Sequence, residues 1–84
     1  MYIHVLSPDK EFFKGEIKSV KVPGVSGQFE VLQNHAPIVS ALSSGPVYIK
    51  KENGEKLTFT IRKGFIEVLA NEVSLLVQGI DTGA

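Results

Sequence analysis

The sequence contains no cysteine and no tryptophan. Without thiols it can build neither a disulfide nor a thiolate metal site, which fits a reducing compartment. It also lacks net charge, because nine basic residues balance nine acidic ones, scattered rather than run together. Phosphate contacts dominate affinity for nucleic acid, and with no basic block to make them, nucleic acid drops out as a partner. No apolar stretch approaches the ~20 residues of a membrane span. Met1-Tyr2-Ile3-His4-Val5 has neither the basic nor the long apolar region of a signal peptide. The expectation is a soluble, unexported chain that meets a membrane only through a partner. Helical periodicity is missing as well: apolar residues nowhere recur at i, i+3, i+4 and i+7 over a window of about 11 residues.

What remains is alternation punctuated by turns. The 84 residues suit one domain, residues 1–84, with 79–84 a short polar tail. A domain of this size buries roughly 60–65% of its unfolded surface and is stable by about 5 kcal/mol. In the first strand, Ile3 and Val5 share a face opposite His4. Ser7-Pro8-Asp9-Lys10 suits a type I turn, with proline at i+1. Phe12-Phe13 is a short apolar piece closed by Lys14-Gly15. In residues 16–22 the apolar positions are Ile17, Val20 and Val22, so the period of two slips once near Lys18-Ser19. Such a slip marks a β-bulge or a strand that changes sheets. Residues 38–42 form a further apolar segment. Val47 and Ile49 then share a face ahead of Asn53-Gly54, a strong hairpin signal. Leu57, Phe59 and Ile61 alternate with Lys56, Thr58, Thr60 and Arg62. After Lys63-Gly64, residues 65–70 and 72–78 read as a last hairpin joined at Asn71. The fold class that follows is all-β, an antiparallel sandwich or barrel without a substantial helix.

Residues 22–37, VPGVSGQFEVLQNHAP, are the most distinctive stretch. Pro23-Gly24 is turn chemistry, and Gly27 closes a tight loop around Val25-Ser26. Phe29 and Val31 alternate with Gln28 and Glu30 as a half-buried strand. A polar turn at Gln33-Asn34 leads into His35-Ala36-Pro37, where proline holds Ala36 extended. No helix and no Gly-Lys-Ser/Thr follows, so this is no phosphate loop.

Candidates for chemistry are few. His35 has no partner set for zinc, which takes three or four ligands, and no nucleophile to activate. It reads as a loop histidine bonded to the turn backbone, or as a partner contact. His4 reads as an exposed or edge residue. Glu16, Glu30, Glu67 and Glu72 each lie between apolar neighbours, the solvent face of a half-buried sheet rather than a catalytic pair. Neither a cofactor nor a metal is expected, and no catalysis. More informative is an apolar surplus: Leu32, Ile66, Val68 and Leu76 fall out of phase with the inward sets Phe29/Val31, Phe65/Leu69 and Val73/Leu75/Val77. Either this phase is misassigned, or the tail covers them, or they form an exposed surface that marks a protein interface.

The pattern Pro23-Gly24-x-x-Gly27-x-Phe29-x-Val31-Leu32-x-Asn34-His35-Ala36-Pro37, followed by Gly45 and Gly64-Phe65-x-Glu67-Val68, resembles the N-terminal domain of the ε subunit of F-type ATP synthases. Ser7-Pro8-Asp9, Phe13 and Gly15 add to the likeness, which covers almost the whole chain. The resemblance implies a flattened β-sandwich of about ten strands at the foot of the central rotor stalk. It implies a non-catalytic subunit, monomeric when isolated, without direct membrane insertion. Its partners would be the γ subunit and the polar loops of the c-ring, at the cytoplasmic face of a bacterial inner membrane or an organellar equivalent. By position, Ser26, Gly27, Gln28, Phe29 and Glu30 would face the c-ring. His35, Ala36 and Pro37 would lie nearer γ, with Ile66, Val68 and Leu76 as the apolar γ side. The sequence departs from the family pattern where Glu30 replaces a common glycine, Gln33 a common proline, and Gln28 an often acidic residue. The last change takes the charge out of any c-ring contact there. The family usually continues into a two-helix hairpin that restrains hydrolysis and in some members binds ATP. The sequence stops where that hairpin would begin, so neither inhibition nor ATP sensing is expected of it. The rival reading is a stand-alone module binding a small ligand or carbohydrate, for which Tyr2, Tyr48 and five phenylalanines are a thin supply.

Overall fold

The alternation closes into strands throughout the computed structural model, which describes residues 1–83. Ala84, the end of the expected tail, lies outside the described residues. The strands are β1 (Tyr2–Ser7), β2 (Lys10–Gly24), β3 (Gly27–Leu32), β4 (Ile38–Leu42), β5 (Gly45–Lys51), β6 (Lys56–Ile61), β7 (Lys63–Leu69) and β8 (Glu72–Gln78). Eight strands appear rather than about ten, because β2 runs unbroken for 15 residues through Phe12-Phe13 and on past Val22. No helix forms among the described residues.

One sheet runs β1-β8-β7-β4-β2-β5-β6, with β3 paired to β2 and β1 also paired to β2. Every pairing is antiparallel except β1 with β8, which is parallel. The long strand β2 folds this sheet onto itself. Residues 10–16 pair with β1, while β5 and β3 take over from Ile17 and Ser19 onwards. The register shifts between Ile17 and Ser19, where the alternation slips in the sequence. An extra residue there turns the strand and re-aims its side chains. All eight strands then send one face inward. Ile3, Val5, Ile17, Val20, Val22, Val31, Leu42, Val47, Ile49, Phe59, Ile61, Ile66, Val68, Val73, Leu75 and Val77 meet in a core with no buried polar residue among the described residues. Most of these are β-branched or aromatic, which suits the pleated, half-buried surfaces they occupy.

The turns follow local chemistry. Ser7 Oγ donates to Asp9 Oδ1 and to Lys10 O, both at 3.1 Å, tying the Pro8-Asp9 turn. At Asn53-Gly54 only the glycine has positive φ (91°), with Gly54 N donating to Lys51 O and Lys51 N to Glu55 O. That is the three-residue hairpin loop closed by a left-handed glycine. Between β7 and β8, Ala70 (φ 49°) and Asn71 (φ 64°) form a two-residue turn, whose twist matches that of the strands it joins. The expected polar tail is partly anchored. Asp81 bridges Thr60 through two backbone hydrogen bonds of 2.9 Å, and Ile80 packs on the core.

The phase of β7 is the reverse of the sequence expectation. Ile66 and Val68 are 0% and 2% exposed, whereas Phe65 and Leu69 are 58% and 60% exposed. Pairing dictates this: Ile66 lies opposite Leu75 and Val68 opposite Val73, both core residues of β8. Ile66 and Val68 therefore cannot line the outer surface assigned to them, and Phe65 and Leu69 take their place. Leu32 and Leu76, read as outward, are 53% and 49% exposed.

Candidate functional site

Reading the ladders across the outer face of β4, β7, β8 and β1 puts apolar residues in register. Ala41 lies opposite Phe65, Phe65 opposite Leu76, and Leu76 beside Leu6. Directly cross-strand side chains sit about 5 Å apart, so this is one continuous row. Val39 flanks it at 71% exposure, and Leu69 lies further along β7 on the same face, beyond Glu67. An open groove of ≈ 500 Å³ runs along the row, lined by Leu6, Pro8, Ala41, Leu42, Phe65 and Leu76, with Ser7, Lys63 and Gln78 among its polar neighbours. Gly64 shapes its floor, since a Cβ there would stand 2.5 Å from Leu76 O. Contiguous exposed apolar surface is a common feature of interaction sites.

The two segments singled out in the sequence lie at opposite ends of this face. His35, Ala36 and Pro37 lead into Ile38, which pairs with Val68. Ser26, Gly27, Gln28, Phe29 and Glu30 belong to the β2–β3 hairpin, whose Gly24 pairs with Leu42 at the other end of β4. The six residues of β3 run from the tip of that hairpin at Gly27 to Leu32 beside the His35 turn, a span of about 20 Å. The face touches both ends, because Val25 N donates to Ala41 O at 3.3 Å. Ser26, Gln28 and Glu30 are exposed, while Phe29 is half-buried against the core. Gly24 makes room for that ring, since a Cβ there would meet Phe29 Cε1 at 2.8 Å and Gly27 O at 2.7 Å.

The His35 turn is built by backbone chemistry. His35 N donates to Leu32 O at 3.0 Å, closing a β-turn with Gln33 at i+1 and Asn34 at i+2. Asn34 has φ 67°, as the third residue of a type II turn requires, and i+1 is the position proline favours. The ring of His35 points back to its own turn, with Nδ1 2.6 Å from Ala36 O. Asn34 N also donates to Asn71 Oδ1 at 2.7 Å, and Asn71 Nδ2 donates to Asn34 Oδ1 at 3.2 Å. The chain thus brings the His35 turn to the tip of the β7–β8 hairpin.

Phe65, Leu69, Val39, Leu6, Ala41 and Asn71 were not legible as surface residues from sequence. A signal existed for β7: Glu67 shares a face with Phe65 and Leu69, and a carboxylate belongs outside.

Residues 1–82 match the family described as ATP synthase, delta/epsilon chain, β-sandwich domain. The chain belongs to this family. It is 42% identical over 78 residues to the ATP synthase epsilon chain of Chlorobaculum tepidum, covering 93% of this chain and 89% of that one. It is 48% identical over 75 residues to the epsilon chain of Leptospira borgpetersenii, covering 88% of this chain but 58% of the relative. The fold is similar to a chain in the cryo-EM structure of the Euglena gracilis mitochondrial ATP synthase OSCP/F1/c-ring. There the TM-score is 0.87 at 22% identity, over 94% of this chain and 51% of that one. A chain in the central stalk and c-ring of the Tetrahymena thermophila mitochondrial synthase gives a TM-score of 0.82 at 16% identity, over 96% of this chain and 65% of that one. As a member of the family, the chain is a subunit of a rotary ATP synthase.

Proposed function

We infer that the chain is a non-catalytic rotor subunit that joins the c-ring to the γ subunit, so that ring rotation becomes shaft rotation. The observation that carries this reading is the apolar row Ala41, Phe65, Leu76 and Leu6 on the outside of an otherwise water-compatible sandwich. A torque-bearing joint needs stiffness and two contacts. The fold supplies stiffness through strands bonded edge to edge around a wholly apolar core. The γ subunit docks on the apolar row, with Val39, Leu69 and the His35, Ala36 and Pro37 turn at its border. The β2–β3 hairpin, through Ser26, Gly27, Gln28, Phe29 and Glu30, meets the polar loops of the c-ring at the far end. With Gln28 uncharged, Glu30 is the charged side chain of that contact. The subunit then sits peripherally at the cytoplasmic face of a bacterial inner membrane, or its organellar equivalent, and is a monomer by itself.

Mixing the chain with purified γ subunit and sizing the product tests this. A one-to-one complex that Leu76→Asp abolishes is the expected result. A folded monomer that forms no complex with γ overturns the reading.

A further inference from the structure

The segment from Gln33 to Pro37 has few ties of its own. It follows β3, which among the described residues has only β2 as a ladder partner, and precedes β4. Its Asn34 sits in the left-handed region, where a non-glycine residue persists only if its surroundings hold it. Besides the turn's own bond from His35 N–H to Leu32 O, what holds it is a side chain 37 residues away in sequence. Asn71 Oδ1 accepts the backbone N–H of Asn34 at 2.7 Å, and its Nδ2 donates to Asn34 Oδ1 at 3.2 Å. One amide group thus meets a donor and an acceptor with the matching acceptor and donor. Asn71 is itself anchored: it is the second residue of the β7–β8 turn, and its carbonyl accepts Tyr2 N–H at 2.9 Å.

We propose that Asn71 is the positioning residue of the His35 turn, clasping Asn34 so that the turn stands in one geometry before a partner arrives. This rests on the reading that the turn borders the γ contact. The clasp also has exposed apolar residues close by in the chain on both sides. Leu32 lies two residues before Asn34, and Leu69 two residues before Asn71, both solvent-exposed. A loop ordered in advance spares the complex the entropy of ordering it on binding.

The two partners of the clasp use different atoms, which yields a matched test. Asn34 contributes its backbone N–H and its side-chain oxygen, so Asn34→Asp keeps both hydrogen bonds. Asn71 contributes an oxygen and an N–H, so Asn71→Asp keeps the acceptor for Asn34 N–H and loses only the donor to Asn34 Oδ1. Both variants add the same charge at the same place, and any effect of charge alone on γ cancels between them. Asn71→Gly removes the side chain while tolerating φ 64° and keeping the carbonyl that holds Tyr2.

Amide exchange at Asn34, read by NMR on the whole chain, and affinity for γ are measured on all three. Asn34→Asp should keep the slow Asn34 amide and bind γ within about twofold of the unaltered chain. Asn71→Asp, which still accepts the Asn34 N–H, should leave that amide slow, whereas Asn71→Gly should expose it while the strand amides stay protected, and weaken binding by roughly three- to tenfold. A protected Asn34 amide in Asn71→Gly overturns the proposal. So does unchanged affinity once protection is lost. An unaltered chain that fails to bind γ refutes the rotor reading instead, and amide exchange then decides the clasp by itself.

Discussion

The outer face of β4, β7, β8 and β1 carries Val39, Phe65, Leu69, Leu76 and Leu6, whereas that of β2, β5 and β6 carries Lys21, Tyr48, Lys50, Lys56 and Thr58. Both faces belong to the same folded sheet and lie over the same core. On the second face the usual rule for a half-wet sheet holds, with polar residues alternating against Val47, Ile49, Phe59 and Ile61. Lys21 even rests its ammonium over the Tyr48 ring at 5.9 Å, as a solvated cation beside an aromatic does. On the first face the rule is broken at several positions in register. A fold gains nothing from leaving Phe65 in water, and this is the face that the proposed function assigns to γ.

The sharpest way to break this contrast is to charge each phase of β7 in turn. Ile66→Asp places an unpaired carboxylate in the core and should cost at least about 4 kcal/mol, nearly the whole stability of a domain this size. Circular dichroism should then show the thermal transition lowered by about 16 °C or more. Phe65→Asp, one residue away, should leave stability within about 1 kcal/mol. Its loss should appear in γ affinity instead, by roughly 30-fold or more for a central anchor. If Phe65→Asp unfolds the chain as Ile66→Asp does, the two phases are not distinct and the apolar face is not a free surface.

Gly64→Ala probes the floor of the groove. A Cβ 2.5 Å from Leu76 O must push β7 from β8, which should cost about 1–3 kcal/mol. That is a fall of about 4–8 °C in Tm for each kcal/mol, measurable by scanning calorimetry. The smallest effect belongs to the charged face. Lys50 lies opposite Lys56, and like charges across a ladder repel. Lys50→Glu should therefore stabilise by a few tenths of a kcal/mol, a gain that fades in high salt. Its γ affinity should stay that of the unaltered chain. A drop there would show that the partner reaches the lysine face as well.

How far the sequence could be read follows the same contrast. Strands whose two phases differ in polarity, such as Lys-Leu-Thr-Phe-Thr-Ile in β6, could be oriented at once. The slip near Lys18-Ser19 located the register shift of β2 correctly. Phe65-Ile66-Glu67-Val68-Leu69 is apolar in both phases, so its orientation was open to error, with Glu67 the one clue. Of the expected surface residues, Leu76, His35 and the β2–β3 hairpin are accessible, while Ile66 and Val68 are core. The Asn34–Asn71 clasp could not be read at all, because nothing local links residues 37 apart.

Alternation, turn residues and the absence of a helical period determined by themselves that this chain is all-β. The Pro23 to Pro37 pattern carried the likeness to its family. These are local properties, written in the period of two and in the dihedral limits of proline, glycine and asparagine. Which face of β7 meets water was decided only by its pairing with β8, and which turn holds the His35 loop only by the closure of the sheet. Both depend on contacts between strands distant in sequence, and those exist only once the whole sheet has formed around its core.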